Sequence, residues 1–407
     1  MGAVSSEAAF ITQLARELHR AGVATDQLEN TIGPIASTLG LQTEIFALPT
    51  NVTIAIGPPH AQQIIMLRLE PAHPNLRKLA LLNEIFDELQ GGNITLDSAT
   101  ALLRSLDDRC PPPNAIASVL ALAAVATGVA TLLGGGLHEL LVAALIGSCT
   151  GVLAYFTTRN ATMDRLFQFF AAFAATLIVA AYMHFVGPVN LYIAIVAGVV
   201  VLLPGYSLTL ALHELANEDL IAGTARLGRV LAILLALGCG AILGFAITGS
   251  SLLQTGDVHP HPVAPAFWLP AIVLLATGLS IELDARLRDY PWVLLACLVA
   301  MGSQFYFNML PAHQVTPFIA ALICGLVANG AARYLRVPQP IMLVPALHVL
   351  VPGALSYQSV LWVVSRNYSD AASLATSAVL AAILIVAGLL LSQLLVPAAP
   401  LRLKASR

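Results

Sequence analysis

The octets VLLPGYSL (201–208) and VLVPGALS (349–356) put a Pro-Gly pair inside two apolar stretches, 148 residues apart. Proline removes a backbone donor and blocks the carbonyl one turn earlier, and glycine lets the chain open at that point. Each pair thus frees backbone groups and half-helix ends whose partial charges can hold a small polar solute. A packing kink is the plainer reading of one such pair; the matched recurrence favours a site made from both. Hydroxyls gather at the same places, with Tyr206, Ser207 and Thr209 after the first pair and Ser356 and Tyr357 after the second. The candidate binding residues are Pro204, Gly205, Ser207, Thr209, Pro352, Gly353 and Ser356.

His348, four residues before Pro352, is the titratable group deep in an apolar stretch beside a break. Its reference pKa of about 6.5 suits a carrier of a coupled proton, and a neutral imidazole bonded to a carbonyl is the alternative. Glu214 and Glu282, at the ends of apolar stretches, join it as candidates for proton coupling; Glu139 and Asp284 hold similar positions. No Asp, Glu, Lys or Arg lies in the middle of any stretch, so a strongly charged solute would meet no counter-ion. A zwitterion can be met by a helix amino end and open carbonyls. Gln304, Asn308 and Asn329 read as interhelical glue. Gly134-Gly135-Gly136 is a tight turn with no P-loop lysine behind it. Asp257, His259 and His261 share a loop without fixed ligand geometry, and the five cysteines read as apolar fillers. Nothing calls for a metal, a cofactor or an enzymatic activity; no G-x-S-x-G or cysteine-centred hydrolase signature occurs.

The elements that must position these groups are set by composition. Hydrophobic residues make up 58% of the 407 and charged residues 10%, against roughly a quarter charged in soluble domains. This is the composition of an α-helical polytopic membrane protein. Ten apolar stretches approach the ~20 residues a bilayer demands: 115–133, 137–156, 166–186, 188–210, 230–248, 263–281, 291–309, 315–332, 339–357 and 372–396. With the amino terminus inside, eleven basic residues after position 113 face inward and only Arg366 faces outward. The positive-inside rule therefore expects ten spans with both termini cytoplasmic.

A shift of 148 lays the fourth stretch on the ninth and the fifth on the tenth, which expects two five-helix repeats, 114–250 and 262–397. Five is odd, so the second repeat enters from the opposite side, and the repeats are inverted. Before them, residues 1–110 expect a small α+β cytoplasmic domain: helices over 6–20, 25–39, 74–90 and 95–108, and strands in LQTEIFALP, NVTIAIG and QIIMLRLE. Pro111 to Pro113 close it off. Its acidic balance, 12 Asp and Glu against 7 Lys and Arg over 1–113, argues against nucleic acid.

Three segments carry a resemblance to a known family. HPNLRKLALLNEIFDELQGGNITLDSATALLRSL (73–106), LLPGYSLTLALHELANEDLIAGTARLGR (202–229) and VPQPIMLVPALHVLVPGALSYQSV (337–360) together resemble the threonine/serine exporters, here with both membrane modules fused. The wording HELANED departs from the acidic-Gly-Asp pattern of that family after its first break. The resemblance implies a carrier in the bacterial inner membrane that exports small neutral hydroxy amino acids by proton antiport. Its partners would be threonine or serine, protons and the bilayer, with a homo-oligomer left open. A membrane-anchored sensor or scaffold acting through the cytoplasmic domain is the competing expectation.

Overall fold

The computed structural model of the chain describes residues 5–58, 60–70, 73–157, 161–249, 261–309, 313–350 and 353–397. Near its start, α1 (Ser6–Arg20) begins where the Ser5 hydroxyl accepts from Ala8 N, and α2 (Thr25–Thr38) follows after a four-residue corner. Three antiparallel strands, β1 (Thr43–Leu48), β2 (Asn51–Ile56) and β3 (Gln63–Arg68), form a sheet in chain order with Ile45 opposite Ile54 and Ile54 opposite Ile65. In β2 every second residue is buried, so Val52, Ile54 and Ile56 face a core shared with Phe10, Leu14, Leu28, Ile32 and Phe86. Helices α3 (Leu76–Gln90), α4 (Leu96–Arg104) and α5 (Leu106–Arg109) complete this unit, with Asn75 and Thr95 as side-chain caps. These elements match the sequence expectation to within a few residues.

The remainder is helical: α6 (Ala115–Leu132), α7 (Leu137–Thr157), short α8 (Ala161–Arg165), α9 (Phe167–Phe185), α10 (Leu191–Gly198), α11 (Gly205–Ala216) and α12 (Leu220–Thr248). Then come α13 (Trp268–Glu282), α14 (Tyr290–Asn308), α15 (Thr316–Tyr334), α16 (Gln339–Leu350), α17 (Gly353–Val364) and α18 (Tyr368–Leu395). Among the described residues nine helical segments are long and apolar enough to cross a membrane, α16 and α17 together counting as one, and ten if bent α10 and α11 form one span. The chain is therefore a polytopic membrane protein. Several spans outrun their apolar stretches. Helix α11 continues to Ala216 and α12 starts at Leu220, so HELANED is mostly helix with a three-residue turn. Hydropathy cannot see these ends, because interfacial turns of a span carry polar residues.

That turn has a counterpart. Glu218 (φ 66°) precedes Asp219, which caps α12, and Arg366 (φ 61°) precedes Asn367, which caps α18. Helix α9 packs on α12 and α15 on α18, and each contact is set by glycine. A Cβ at Gly240 would fall on the Phe169 carbonyl, and one at Gly388 on the Phe318 carbonyl. Between α6 and α13 the pattern is reciprocal: a Cβ at Gly128 would lie 2.9 Å from Leu275 Cβ, and one at Gly278 2.6 Å from Val125 Cγ2.

The amino-terminal unit sits on one end of this bundle, called the inner end below. Leu76 N donates to Leu283 O at 2.8 Å, Arg77 pairs with Asp284 at 2.9 Å, and Arg286 pairs with Glu84 at 2.9 Å, with Arg288 also on Glu84. Arginines that mark the inside by charge count thus lie on the end that carries this unit.

Candidate functional site

The first Pro-Gly pair breaks its span as its chemistry requires. Helix α10 ends at Gly198, a 3₁₀ turn covers Val200–Leu202, and Leu203 is extended (φ −70°, ψ 128°) before α11 starts at Gly205. The two pieces are bent by 61°. In the second span α16 stops at Leu350 and α17 starts at Gly353; Pro352 lies outside the described residues. The breaks meet. A Cβ on Gly353 would lie 3.2 Å from Leu203 Cβ and 3.3 Å from Gly205 Cα, so the first turns of α11 and α17 approach backbone to backbone. Each helix has 12 residues, and the amino end of each carries partial positive charge. His348 ties the pieces together: its ring stacks on Tyr206 with centroids 5.1 Å apart, and its Nδ1 is 2.9 Å from Val344 O.

Outward of this crossing lies a cavity of about 670 Å³ bounded by α10, α14, α15, α17 and α18. Its floor is Val349, Leu350 and Ala354, beside the second break. Gln304, Gln314 and Gln358 bring carboxamides and Thr316 and Ser377 hydroxyls, and among the described residues no charged side chain lines it. Membrane threonines here usually return their hydroxyl to the carbonyl four residues back, as Thr127, Thr176 and Thr248 do at 2.8 to 2.9 Å. Thr316 opens α15, and among the described residues its Oγ1 has no partner although the residue is 3% exposed.

Inward of the crossing the path narrows to about 70 Å³ between α11, α16, α18 and the α1–α2 corner. Thr209 lines it, 2% exposed, with an unpartnered Oγ1. Below the corner a vestibule of about 1360 Å³ opens at the inner end, with Arg333, Arg336, Asp26 and Glu29 on its walls. Burial pushes Asp26's carboxyl up, but bonds from His213 and Asn217 outweigh burial and hold it below the usual carboxylate range. Burial raises Glu29, against the opposing bond from Ala47 N.

The profile of the family described as "Putative threonine/serine exporter" matches residues 9–248, and that described as "Threonine/Serine exporter, ThrE" matches residues 267–395. The chain belongs to the threonine/serine exporter family. A relative in Mycobacterium tuberculosis named "Probable threonine/serine exporter" is 23% identical over 316 residues, 73% of this chain and 58% of the relative. Pheromone-regulated membrane protein 10 of Zygosaccharomyces rouxii is 22% identical over 364 residues, and that of Pichia sorbitophila 24% over 370. Both alignments cover 86% of this chain, which spans only 37% and 36% of those relatives. No solved structure matches the chain.

Set in this exporter-family chain, the sequence candidates separate. Gly205 and Gly353 meet at the crossing, Pro204 and Ser356 are buried beside it, Ser207 is half-buried, and Thr209 points to the inner narrowing. Glu214 is fully buried and held by Arg226 Nε and Nη2 at 2.9 and 2.8 Å, whereas Glu282 is exposed at the inner end of α13. Glu139 caps two outer turns, accepting from Gly136 N at 2.8 Å and Asn190 N at 2.7 Å. Asn329 accepts from Gln339 at 2.7 Å, the interhelical bond expected of it. Asp257 and His259 lie outside the described residues. Sequence reading missed Thr316, Gln314 and Gln358. They sit at a span entrance and one turn past a break, where only the crossing of α15, α17 and α18 makes them neighbours. It missed Thr25 and Asp26 as well, whose importance is wholly interdomain.

Proposed function

We propose that the chain is a secondary active transporter that exports threonine and serine across a bacterial inner membrane by proton antiport. The observation that carries this reading is the uncharged cavity ending on two crossed helix breaks, in a chain of the exporter family. A neutral amino acid is a zwitterion. Its carboxylate suits the converging amino ends of α11 and α17, and its ammonium suits the carbonyl ends of α10 and α16 across the same breaks. Pro204 and Pro352 create those ends, Gly205 and Gly353 let backbone approach substrate, and Ser207, Thr209 and Ser356 supply hydroxyl contacts. Thr316, Gln304, Gln314 and Gln358 extend the set outward and match a polar side chain.

The moving parts are two inverted five-helix repeats, 114–250 and 262–397, rocking about the α6–α13 contact, with residues 1–110 as the cytoplasmic domain. Reciprocal glycine contacts at 128 and 278, matched glycines at 240 and 388, and matched caps at 219 and 367 support that reading. The arginine-rich inner loops support cytoplasmic termini. His348 is the coupling residue best placed, because its ring touches both broken spans. Glu214, fixed by Arg226, suits a gate, and Glu282 suits proton entry from the inner interface.

The test is counterflow of labelled L-threonine in proteoliposomes, with serine, alanine and glutamate as competitors and an imposed pH step. Saturable uptake that serine blocks and the proton gradient steepens is expected. Absence of flux with any small neutral amino acid refutes the exporter reading.

A further inference from the structure

At the inner end the amino-terminal unit closes over the narrowing between α11, α16 and α18. Val23 of the α1–α2 corner and Gln27 in the first turn of α2 line both the inner narrowing and the vestibule beneath it, with His213 and Gln339 of the bundle, so the corner forms part of the boundary between them. The residue at its tip is a threonine. Thr25 is 2% exposed, and its Oγ1 lies 2.9 Å from Glu214 Oε1 and 2.8 Å from Asp219 Oδ2, residues nearly two hundred positions away. Asp26 adds a 2.9 Å bond from Asn217 Nδ2 and a 3.4 Å approach to His213 Nε2. A hydroxyl seated between two carboxylates of the membrane bundle is what a hydroxy amino acid would present on arriving from the inner side.

We propose that Glu214 and Asp219 are the inner recognition site for the substrate hydroxyl, and that Thr25 occupies this site as a tethered mimic that keeps the inner gate shut. The inference rests on the exporter reading and adds where selection happens. A second observation points to a ligand in the adjoining narrowing: Thr209 Oγ1 and His213 Nδ1, one turn apart on α11, are buried there without a partner, and His213 Nε2 lies 3.4 Å from Asp26 beside Thr25. The two groups are ready for a polar molecule that the corner itself does not supply. Arg226 fixes Glu214 in place, so the incoming molecule competes only for the hydroxyl position, and the carboxylate of Asp219 favours an ammonium group. The closed inner corner and open outer cavity together are one end state of alternating access.

Thr25→Val removes the mimic and keeps its shape; Thr25→Ser keeps the hydroxyl. In a chain freed of its five native cysteines, Val23→Cys reports the gate by its rate of labelling with an impermeant thiol reagent from the inner side. Faster labelling with Thr25→Val and native labelling with Thr25→Ser are expected, and this readout needs no substrate. Asp219→Asn, which keeps the helix cap, is expected to lower the preference for threonine over alanine by about fivefold at the inner face, the loss of one hydrogen bond. Unchanged labelling with Thr25→Val overturns the gate, and an unchanged threonine-to-alanine ratio with Asp219→Asn overturns the recognition site. Absence of flux in the native chain would instead count against the exporter reading, leaving the labelling result to decide the gate.

Discussion

Thr316 offers a substitution whose effects on stability and on binding have opposite signs. Its hydroxyl is 3% exposed and unpartnered, at the wall of the outer cavity. A buried polar group without a partner costs about 1–3 kcal/mol of desolvation. Thr316→Val keeps the branched shape and removes that cost, so the empty protein should become more stable by about 1 kcal/mol or more. If the hydroxyl is left open to meet substrate, its loss removes one hydrogen bond, about 0.5–1.5 kcal/mol, which is roughly a two- to twelvefold rise in KM. Tyr357→Phe is the internal control. Its hydroxyl is also unpartnered and the residue fully buried, but it does not line the cavity, so it should stabilise without moving KM. Thermal unfolding in detergent and counterflow KM are the paired assays. A KM unchanged by Thr316→Val refutes the assignment of this wall to substrate, and a stability loss refutes the claim that the hydroxyl is unsatisfied.

Other perturbations test the frame around the site. Gly240→Ala and Gly388→Ala each put a methyl on a carbonyl of the facing helix and should destabilise by about 1–3 kcal/mol, measured by thermal unfolding. Gly302→Ala, with open space around it, should be neutral or slightly stabilising in the same assay. Pro204→Ala combined with Pro352→Ala should cut threonine flux at least tenfold, by about 1.4 kcal/mol or more of lost transition-state stabilisation, in protein that still inserts; native flux would refute the crossed-break site. Asp26's carboxyl is lowered in the docked state, so its share of docking is complete above the free carboxyl's pKa and fades as pH falls through the docked one. Docking, read as protection of the corner from protease, should therefore hold through neutral pH and weaken in the acid range, whereas Asp26→Asn should weaken it at neutral pH and converge on the native chain in acid.

Much of this was legible because it is local. A Pro-Gly pair breaks a helix wherever it stands, and the repeat of VLLPGYSL at a fixed shift located both breaks. The strands of the amino-terminal unit followed from period-two burial, as Val52, Ile54 and Ile56 display. What was hidden depends on long-range assembly. Thr25 reads as an ordinary helix-start residue until α11 and α12 are placed beside it. Thr316 and Gln358 are 42 residues apart and share a wall only through the packing of their helices. Gly240 and Gly388 read as generic small residues until the carbonyls of Phe169 and Phe318 are seen to fill their missing side chains.

Under the proposed inverted repeats the two halves would differ in chemistry, and that difference would bear on direction. In that proposal Gln358 and Ser377 of the outer cavity would correspond, by the shift of 148, to Leu210 and Arg229 on the inner side. Among the described residues no charged side chain lines the outer cavity, whereas the vestibule at the inner end carries Asp26, Glu29, Asp219, Arg333 and Arg336. In the proposed exporter a charged inner mouth would hold a zwitterion more strongly than a neutral outer cavity, which would speed loading inside and release outside. Such asymmetry sets rates and cannot set direction, because a carrier that merely binds its substrate unequally at two faces still relaxes to equal concentrations. Export against a gradient therefore requires that a second gradient bias the same two-state element. A group touching both broken spans at their crossing is where such a bias would act most directly, and His348 against Tyr206 occupies that place.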